Sequence, residues 1–353
     1  MNQIINKLFR YDKTVSYEHF ISFALYDEEY GYYMKSKPKL GKCFDFVTSP
    51  YVSRAFAKTI VRFAVEKWTN SKLPIRFYEI GSGDGTFASA FLNEMASQFP
   101  SLYEQLTYIS IEHSPYHRYV QHQQLQKHPV IFYSDFNQVF EIEGIVFSNE
   151  WLDALPVHVI QQKEGKMWEV AITIKDGQLM ETYLPLTNKD ILQFLQRYNV
   201  KLTEGVRREI PIKMVDTWIK LITNMKQGWI LTIDYGTTEE ERLCMKKESV
   251  RGFYQHQLVE NLFQKIGEID MTYSIWFDCL ISEGKKHGCF VENFTSQKEF
   301  LLQYGILNDL LEHSATDPFS PEAKWNRSIV YLIRDGGFSD SFRALVQRKE
   351  KSS

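Results

Sequence analysis

The most constraining feature of this chain is a short apolar segment that ends in three closely spaced glycines. Residues 75–80 are aromatic and β-branched, and residues 81–86 read Gly-Ser-Gly-Asp-Gly-Thr. Helical spacing of apolar residues resumes at once, at Phe87, Phe91, Leu92, Met95 and Phe99. The pattern predicts a buried strand, a glycine turn and a helix. A helix that begins at such a turn presents unpaired N–H groups, which suit a carboxylate or phosphate ligand.

Strands and helices alternate on both sides of this turn. Residues 54–68 carry the apolar stripe of an amphipathic helix, and residues 299–311 favour a late helix. Further strands are predicted at residues 108–111, 130–133, 145–148, 229–233 and 328–333. This alternation is typical of an α/β fold with a mostly parallel, doubly wound sheet.

The pattern changes after residue 156. Residues 157–184 alternate with period two, and Lys-Glu-Gly at 163–165 and Lys-Asp-Gly at 175–177 predict hairpin turns. Helical patterning follows at residues 190–198 and 214–225. We therefore divide the chain into an N-terminal helical segment with a covering loop (1–53), a first part of the core (54–156), a β-rich and helical insertion that forms a substrate lobe (157–227), and the remaining core with C-terminal helices and the last strand (228–353).

Composition excludes several functional classes. A net charge of -3, with 44% hydrophobic and 24% charged residues, describes a globular protein with no general attraction to nucleic acid or anionic membranes. The four cysteines form no Cys-x-x-Cys pair, which favours a reducing compartment and gives no metal-ligand spacing. No apolar run approaches the roughly 20 residues that span a bilayer, and the first 20 residues lack the apolar core of a targeting signal. We expect a cytoplasmic protein without metal, nucleic acid or membrane insertion.

The glycine turn and two carboxylates define the candidate cofactor site. Gly81, Gly83 and Gly85 alternate as Gly-x-Gly-x-Gly, which differs from the Gly-x-Gly-x-x-Gly fingerprint of dinucleotides. Glu79 precedes them with a carboxylate suited to an ammonium group, and Glu112 ends the second strand, where it can accept hydrogen bonds from ribose hydroxyls. The spacing favours S-adenosylmethionine as cofactor. A nicotinamide dehydrogenase stays as an alternative that rests on fold analogy.

Several segments resemble, in the same order, the signatures of the MidA-like methyltransferases. They are residues 27–33, 45–50, 79–86, 112–115, 149–156 and 234–236. The most specific is Asn-Glu-x-x-Asp-Ala-Leu-Pro at 149–156. The resemblance implies a class I methyltransferase fold with a Rossmann-like core, S-adenosylmethionine as cofactor, and kinship with a mitochondrial complex I assembly factor that symmetrically dimethylates an arginine.

The resemblance also concerns the N-terminal segment and shows some departures. It implies that the segment containing Thr48, Ser49 and Pro50 folds over the cofactor. Ser82 and Asp84 stand where proline and arginine are common in the glycine motif, and Trp151 replaces a common phenylalanine or leucine. These departures leave the cofactor prediction intact but weaken any transfer of substrate identity.

Candidate catalytic residues follow the fourth predicted strand. Methyl transfer from a sulfonium needs an aligned nucleophile and exclusion of water, and requires no metal. If the acceptor is a guanidinium, a carboxylate must orient it and stabilise its charge. Glu150 is the leading candidate because it lies at the carboxyl edge of the sheet, and Asn149 beside it can hold the acceptor. Asp153 shares this face if a helical turn begins here, and Glu209 is a remote second carboxylate.

The sequence alone leaves the identity of the methyl acceptor open. The resemblance favours a protein substrate with arginine as the methylated residue. A small-molecule methyltransferase and a non-catalytic cofactor-binding assembly or chaperone protein are the alternatives. The predicted insertion and N-terminal cover are large enough to shape either a peptide groove or an enclosed pocket.

Overall fold

The computed structural model of the chain describes residues 2–36, 49, 53–244, 250–255, 257–312, 317–336 and 341–351. Within these residues the helices are α1 Asn2–Leu8, α2 Tyr17–Tyr26, α3 Arg54–Thr69, α4 Thr86–Gln98, α5 Pro100–Tyr103, α6 Pro115–Gln124, α7 Lys189–Arg197, α8 Ile212–Asn224, α9 Glu239–Cys244, α10 Phe277–Lys286, α11 Gln297–Gln303 and α12 Pro321–Ile333. Short 3₁₀ helices lie at Phe136–Gln138 and Ile306–Asp309.

The strands of the described residues alternate with these helices along most of the chain. They are β1 Thr14–Ser16, β2 Arg76–Ile80, β3 Thr107–Ile111, β4 Val130–Tyr133, β5 Ile142–Asn149, β6 His158–Lys163, β7 Lys166–Lys175, β8 Gln178–Pro185, β9 Arg207–Ile210, β10 Met225–Thr237, β11 Arg251–Tyr254, β12 Gln257–Val259, β13 Asp270–Thr272, β14 Ile275–Trp276, β15 Cys289–Ser296 and β16 Phe342–Lys349.

The chain divides into two compact units, each built from three segments. The first comprises Met1–Lys37, Leu152–Lys220 and Gly236–Glu283, and the second comprises Pro38–Trp151, Leu221–Tyr235 and Gly284–Ser353. The four consecutive segments expected from sequence stay a prediction about chain organisation.

The second unit contains the main sheet, with strand order β15-β16-β10-β5-β2-β3-β4. The pairs from β10 to β4 are parallel, whereas β16 runs antiparallel to both β10 and β15. The carboxyl ends of β2, β3 and β5 therefore meet at one edge, where ligands of open α/β sheets bind.

A cluster of aromatic rings holds β2 in this sheet. The ring of Phe77 lies 4.3 Å from that of Phe91, 5.4 Å from Tyr108 and 5.9 Å from Phe147, measured between centroids. All four rings are buried. Truncation of such a side chain to alanine costs about 3–5 kcal/mol, so this packing fixes the strand that leads into the glycine turn.

The strand predicted at residues 328–333 is wrong, because these residues end helix α12. Ser320 caps the helix by accepting a hydrogen bond from the N–H of Ala323, and Pro321 occupies its first position. The last strand of the sheet is β16 instead. The late helix expected at 299–311 is shorter than predicted, because α11 stops at Gln303 and Ile306–Asp309 continues as a 3₁₀ helix.

The first unit contains the hairpins expected after residue 156. Strands β6, β7 and β8 pair antiparallel, with Lys163 opposite Lys166 and Lys175 opposite Gln178. Both two-residue turns have positive φ at each position: 53° and 69° at Glu164 and Gly165, and 53° and 75° at Asp176 and Gly177. These are type I′ turns, whose twist matches that of the strands. Strands β1 and β9 complete this sheet, and neither was expected from sequence.

Candidate active site

The glycine turn has the left-handed backbone that its sequence predicts. The φ angles of Gly81, Gly83 and Gly85 are 71°, 55° and 87°. A Cβ on Gly81 would lie 3.0 Å from Cδ1 of Trp151, and one on Gly85 would lie 3.0 Å from Cγ of Gln121. Glycine is therefore favoured by conformation at all three positions, and at Gly81 and Gly85 an added Cβ would also press on a neighbouring side chain. The turn ends where α4 begins, with Gly85 as the residue before the helix.

Glu112 is bound to the glycine turn directly. Its Oε2 accepts a hydrogen bond of 2.8 Å from the N–H of Gly83, and its Oε1 accepts one of 2.7 Å from the N–H of Ser114. Burial alone would raise the pKa of this carboxyl group, but hydrogen bonding and charge interaction with His117, together with the two N–H donors, hold it below its usual value. Glu112 is therefore a fixed, ionised acceptor at the tip of β3.

Three buried polar side chains, one from the turn and two from beneath it, form hydrogen bonds that were not expected from sequence. Oγ of Ser82 lies 2.7 Å from Oγ of Ser110, which donates over 2.8 Å to Oε1 of Gln121. Nε2 of Gln121 closes the cycle by donating to Oγ of Ser82 over 2.9 Å. We call these three residues the polar ring. The ring joins β3, α6 and the turn, which lie up to 39 residues apart in sequence.

Glu79 lies at the end of β2 and is buried. Oε2 of its carboxyl group accepts a hydrogen bond of 2.6 Å from the hydroxyl group of Tyr108. Burial raises the pKa of Glu79 to about 8, and the charge of Glu112 adds to the rise, whereas the hydrogen bond from Tyr108 opposes it. Near neutral pH the protonated form of this carboxyl group therefore predominates, and shifted pKa values of this kind are common at functional sites.

Asn149 and Glu150 end the central parallel strand β5. Glu150 has a φ of 50°, an uncommon conformation for a residue other than glycine, and its N–H donates to the carbonyl of Ile233 over 3.0 Å. Nδ2 of Asn149 donates to Oε1 of Glu150 over 2.9 Å. Among the described residues, Oδ1 of Asn149 is buried without a hydrogen-bond partner. Strained backbone with such a polar atom is typical of functional sites.

The Glu150 turn is anchored on its far side by Trp151. The N–H of Trp151 donates to Oδ2 of Asp234 over 3.3 Å, and Asp234 is completely buried. The side chain of Trp151 packs against Gly81, which brings the Glu150 turn beside the glycine turn. Within the second unit, the structure therefore places Asn149 and Glu150 next to the candidate cofactor site.

The other two candidate carboxylates lie in the first unit. Asp153 is buried there, and its carbonyl accepts a hydrogen bond of 3.1 Å from the N–H of Tyr273. Glu209 pairs with Arg242, with 2.9 Å between Oε2 and Nη2, and both side chains are buried. This pairing gives Glu209 a structural role.

The structure describes one of the three candidate residues in the N-terminal segment. Thr48 and Pro50 lie outside the described residues. Ser49 is completely buried, and its Oγ donates to Oε1 of Gln297 over 3.1 Å. Its hydroxyl group is therefore engaged in packing against the start of α11.

Two further features of the described residues concern metal ions and membranes. Across the part of the chain that the structure covers, no group of three or more histidine, cysteine or acidic side chains is placed to hold a metal ion. No helix there is both long and apolar enough to cross a bilayer.

The fold and the site define a class I methyltransferase. Residues 59–295 match the model of a family of S-adenosyl-L-methionine-dependent methyltransferases, which is more than half of the chain. The chain belongs to this family, in its MidA-like branch, and its cofactor is S-adenosylmethionine.

Named relatives and solved structures agree with this class. The chain is 26% identical to the protein arginine methyltransferase NDUFAF7 of Xenopus tropicalis, over 89% of this chain and 79% of that protein. It is 27% identical to the mouse protein of the same name, over 78% and 67%. A COG1565 superfamily member from Burkholderia thailandensis, solved with S-adenosyl-homocysteine bound, shares the fold with a TM-score of 0.88 and 22% identity, covering 100% of this chain and 92% of that chain.

Proposed function

We propose that this enzyme transfers a methyl group from S-adenosylmethionine to the guanidinium group of an arginine in a protein. The names of its relatives support the acceptor class. The observation that carries the proposal is the left-handed backbone of Glu150, which precedes Trp151, the residue whose side chain packs against Gly81. The cytoplasmic location stays a prediction.

The second unit fits the cofactor. Gly81, Gly83 and Gly85 have positive φ angles and no side chains, so a ligand can approach the backbone of this turn more closely than a Cβ would allow. Glu112 is ionised and suited to the ribose hydroxyls. Glu79 is assigned to the ammonium group, whose positive charge would favour the ionised form of this buried carboxyl group. When bound, the cofactor supplies a methyl group attached to a positively charged sulfur. After transfer, that sulfur is a neutral thioether.

Asn149 and Glu150 fit a guanidinium acceptor. Oδ1 of Asn149 is a buried acceptor that a guanidinium N–H would satisfy, and the Glu150 carboxylate can accept a second N–H of the same planar group. The pair orients one nitrogen and stabilises positive charge as the N–C bond forms. The methylated nitrogen gives up one proton through the Glu150 carboxylate to solvent, so the product keeps a single positive charge. Asp153 stays a candidate for a supporting carboxylate.

The test is a transfer assay with tritiated S-adenosylmethionine on lysate from cells that lack the protein. Wild-type enzyme should label a protein band, and acid hydrolysis of that band should release methylated arginine. The Glu150→Gln variant is the control, because it keeps the size of the side chain but removes its charge. Label in low-mass material would indicate a small-molecule acceptor, and binding without any transfer would indicate a non-catalytic protein.

A further inference from the structure

The peptide groups of Gly83 are held from two sides. Its N–H donates to Oε2 of Glu112 over 2.8 Å, and its carbonyl accepts a hydrogen bond of 2.5 Å from Nε2 of Gln121. The same Nε2 atom also donates to Oγ of Ser82. Both polar groups of one glycine are thus bound by side chains from outside the turn, one carboxylate and one amide.

Gln121 contacts the glycine turn along its length. It is completely buried on α6, and besides Ser82 and Gly83 it lies against Gly85, where an added Cβ would come within 3.0 Å of its Cγ. Three left-handed glycines lose more conformational freedom on ordering than any other residue type, by up to about 1 kcal/mol each relative to alanine. A turn of this composition therefore needs external contacts to hold one shape.

Ser82 explains why an amide is needed here. A proline at this position would restrict the backbone of the turn by its own ring. Serine imposes no such restriction, but its Oγ enters the polar ring and is fixed by Ser110 and Gln121. Hydrogen bonds from β3 and α6 take the place of the covalent restriction.

We propose that Gln121 is a positioning residue for the cofactor, which holds the glycine turn in its binding shape before the cofactor arrives. The inference rests on the placement of S-adenosylmethionine at this turn, as argued under Proposed function. A turn that is already ordered pays less entropy on binding, so affinity is higher than for a mobile turn. Gln121 acts through Gly83 and Ser82 and need not touch the cofactor.

The experiment compares Gln121→Met with Gln124→Met. Methionine matches glutamine in length but removes the amide, and Gln124 lies exposed on the same helix. Hydrogen exchange of residues 81–87 is measured in the unliganded protein, and affinity for S-adenosylhomocysteine is measured by calorimetry. We expect Gln121→Met to raise the hydrogen-exchange rate of residues 81–87 by about tenfold and to lower the affinity for S-adenosylhomocysteine by about tenfold. Gln124→Met should stay within twofold of wild type in both.

Other outcomes decide against the inference. Exchange and affinity within twofold of wild type in folded Gln121→Met would overturn it. So would a general loss of stability, with faster exchange throughout the sheet and unchanged affinity, because Gln121 would then be a structural residue alone. If Gln121→Met does not fold, Ser110→Ala decides the matter. It opens the polar ring with little loss of volume, so unchanged exchange and affinity overturn the inference, and a threefold or larger change in both supports it.

One further measurement separates this inference from the proposed function. In wild-type protein, saturating S-adenosylhomocysteine should slow exchange at residues 81–87. If the ligand binds but leaves this exchange unchanged, the cofactor is misplaced and the proposed site fails. The effect of Gln121 on the turn is measured by hydrogen exchange in unliganded protein. That measurement therefore does not depend on where the ligand binds.

Discussion

Tyr108 donates a hydrogen bond of 2.6 Å to Oε2 of Glu79 across the neighbouring strands β3 and β2, where neither side chain is exposed. The contact satisfies one oxygen of a buried carboxyl group but does not compensate for its burial. The pKa of Glu79 consequently rises to about 8.

This pKa predicts a loss of stability as the pH rises. Because the folded-state pKa of Glu79 lies above its ordinary value of 4.5, the folded state holds a proton between about pH 4.5 and 8 that the unfolded state has released. The free energy of unfolding should therefore fall through this window, by about 1.4 kcal/mol per pH unit from this group. Glu79→Gln should remove that slope. Urea denaturation from pH 5.5 to 8 measures it, with the exposed Glu104→Gln as control; parallel curves for Glu79→Gln and wild type would count against it.

Glu112→Gln should weaken binding of S-adenosylhomocysteine by about tenfold or more, because a charge-assisted hydrogen bond contributes about 1.5–3 kcal/mol. Calorimetry with S-adenosylhomocysteine and its 2′-deoxy analogue identifies the contact. The substitution should affect the analogue less, since one ribose hydroxyl is missing. An equal loss for both ligands would place Glu112 away from that hydroxyl.

Gly81→Ala should reduce both stability and cofactor affinity. Alanine at a φ of 71° is strained by about 1–2 kcal/mol, and its Cβ must also displace the side chain of Trp151. Gly165→Ala is a matched control, because its φ is 69° and nothing lies within 4 Å of the added Cβ. Thermal denaturation should show a loss for both variants, whereas calorimetry should show weaker binding for Gly81→Ala alone.

Glu150→Gln should separate turnover from binding. The amide keeps the size of the side chain, but one charge-assisted contact of about 1.5–3 kcal/mol is lost, so transfer should slow by roughly ten- to a hundredfold or more. Affinity for S-adenosylhomocysteine should stay within about twofold, because the carboxylate is assigned to the acceptor. Near-normal turnover in a folded variant would reject this role and make Asp153→Asn the next variant to assay.

Glu209→Gln should lower stability without a selective effect on turnover. It leaves the buried guanidinium of Arg242 without its 2.9 Å partner, and breaking a buried pair costs about 3–5 kcal/mol. A double-mutant cycle with Arg242→Met measures the coupling by urea denaturation. Additive losses in that cycle would show that the pair contributes little.

The parts of the fold that follow from local sequence were predictable. The glycine turn and the two type I′ hairpins require residues that tolerate positive φ, and these residues are visible in the sequence. The strand predicted at residues 328–333 is wrong because a short apolar run fits either a strand or a buried helix. Ser320 and Pro321, some eight residues earlier, signal a helix start and favour the correct alternative.

Site residues at the ends of strands were predictable from the sequence. Site residues whose contacts depend on how helices pack were not. Glu79 is the second-to-last residue of β2, and Glu112 and Glu150 directly follow β3 and β5, so parallel pairing brings them to one edge of the sheet. Gln121 gave no such signal, because a glutamine on a helix is usually solvated, and its contact with Gly83 depends on how α6 packs. The free acceptor atom of Asn149, judged over the described residues, likewise depends on packing.

The position of β16 has a consequence for the order in which the chain becomes folded during synthesis. Strand β10 ends at Thr237, but its neighbour on one side, β16, begins at Phe342, more than a hundred residues later. A ribosome that adds about 5–20 residues per second needs several seconds or more to reach it. Until then one edge of β10 stays open in the nascent chain, and unpaired strand edges recruit other strands. Chaperone occupancy during translation should therefore be highest between the emergence of β10 and that of β16.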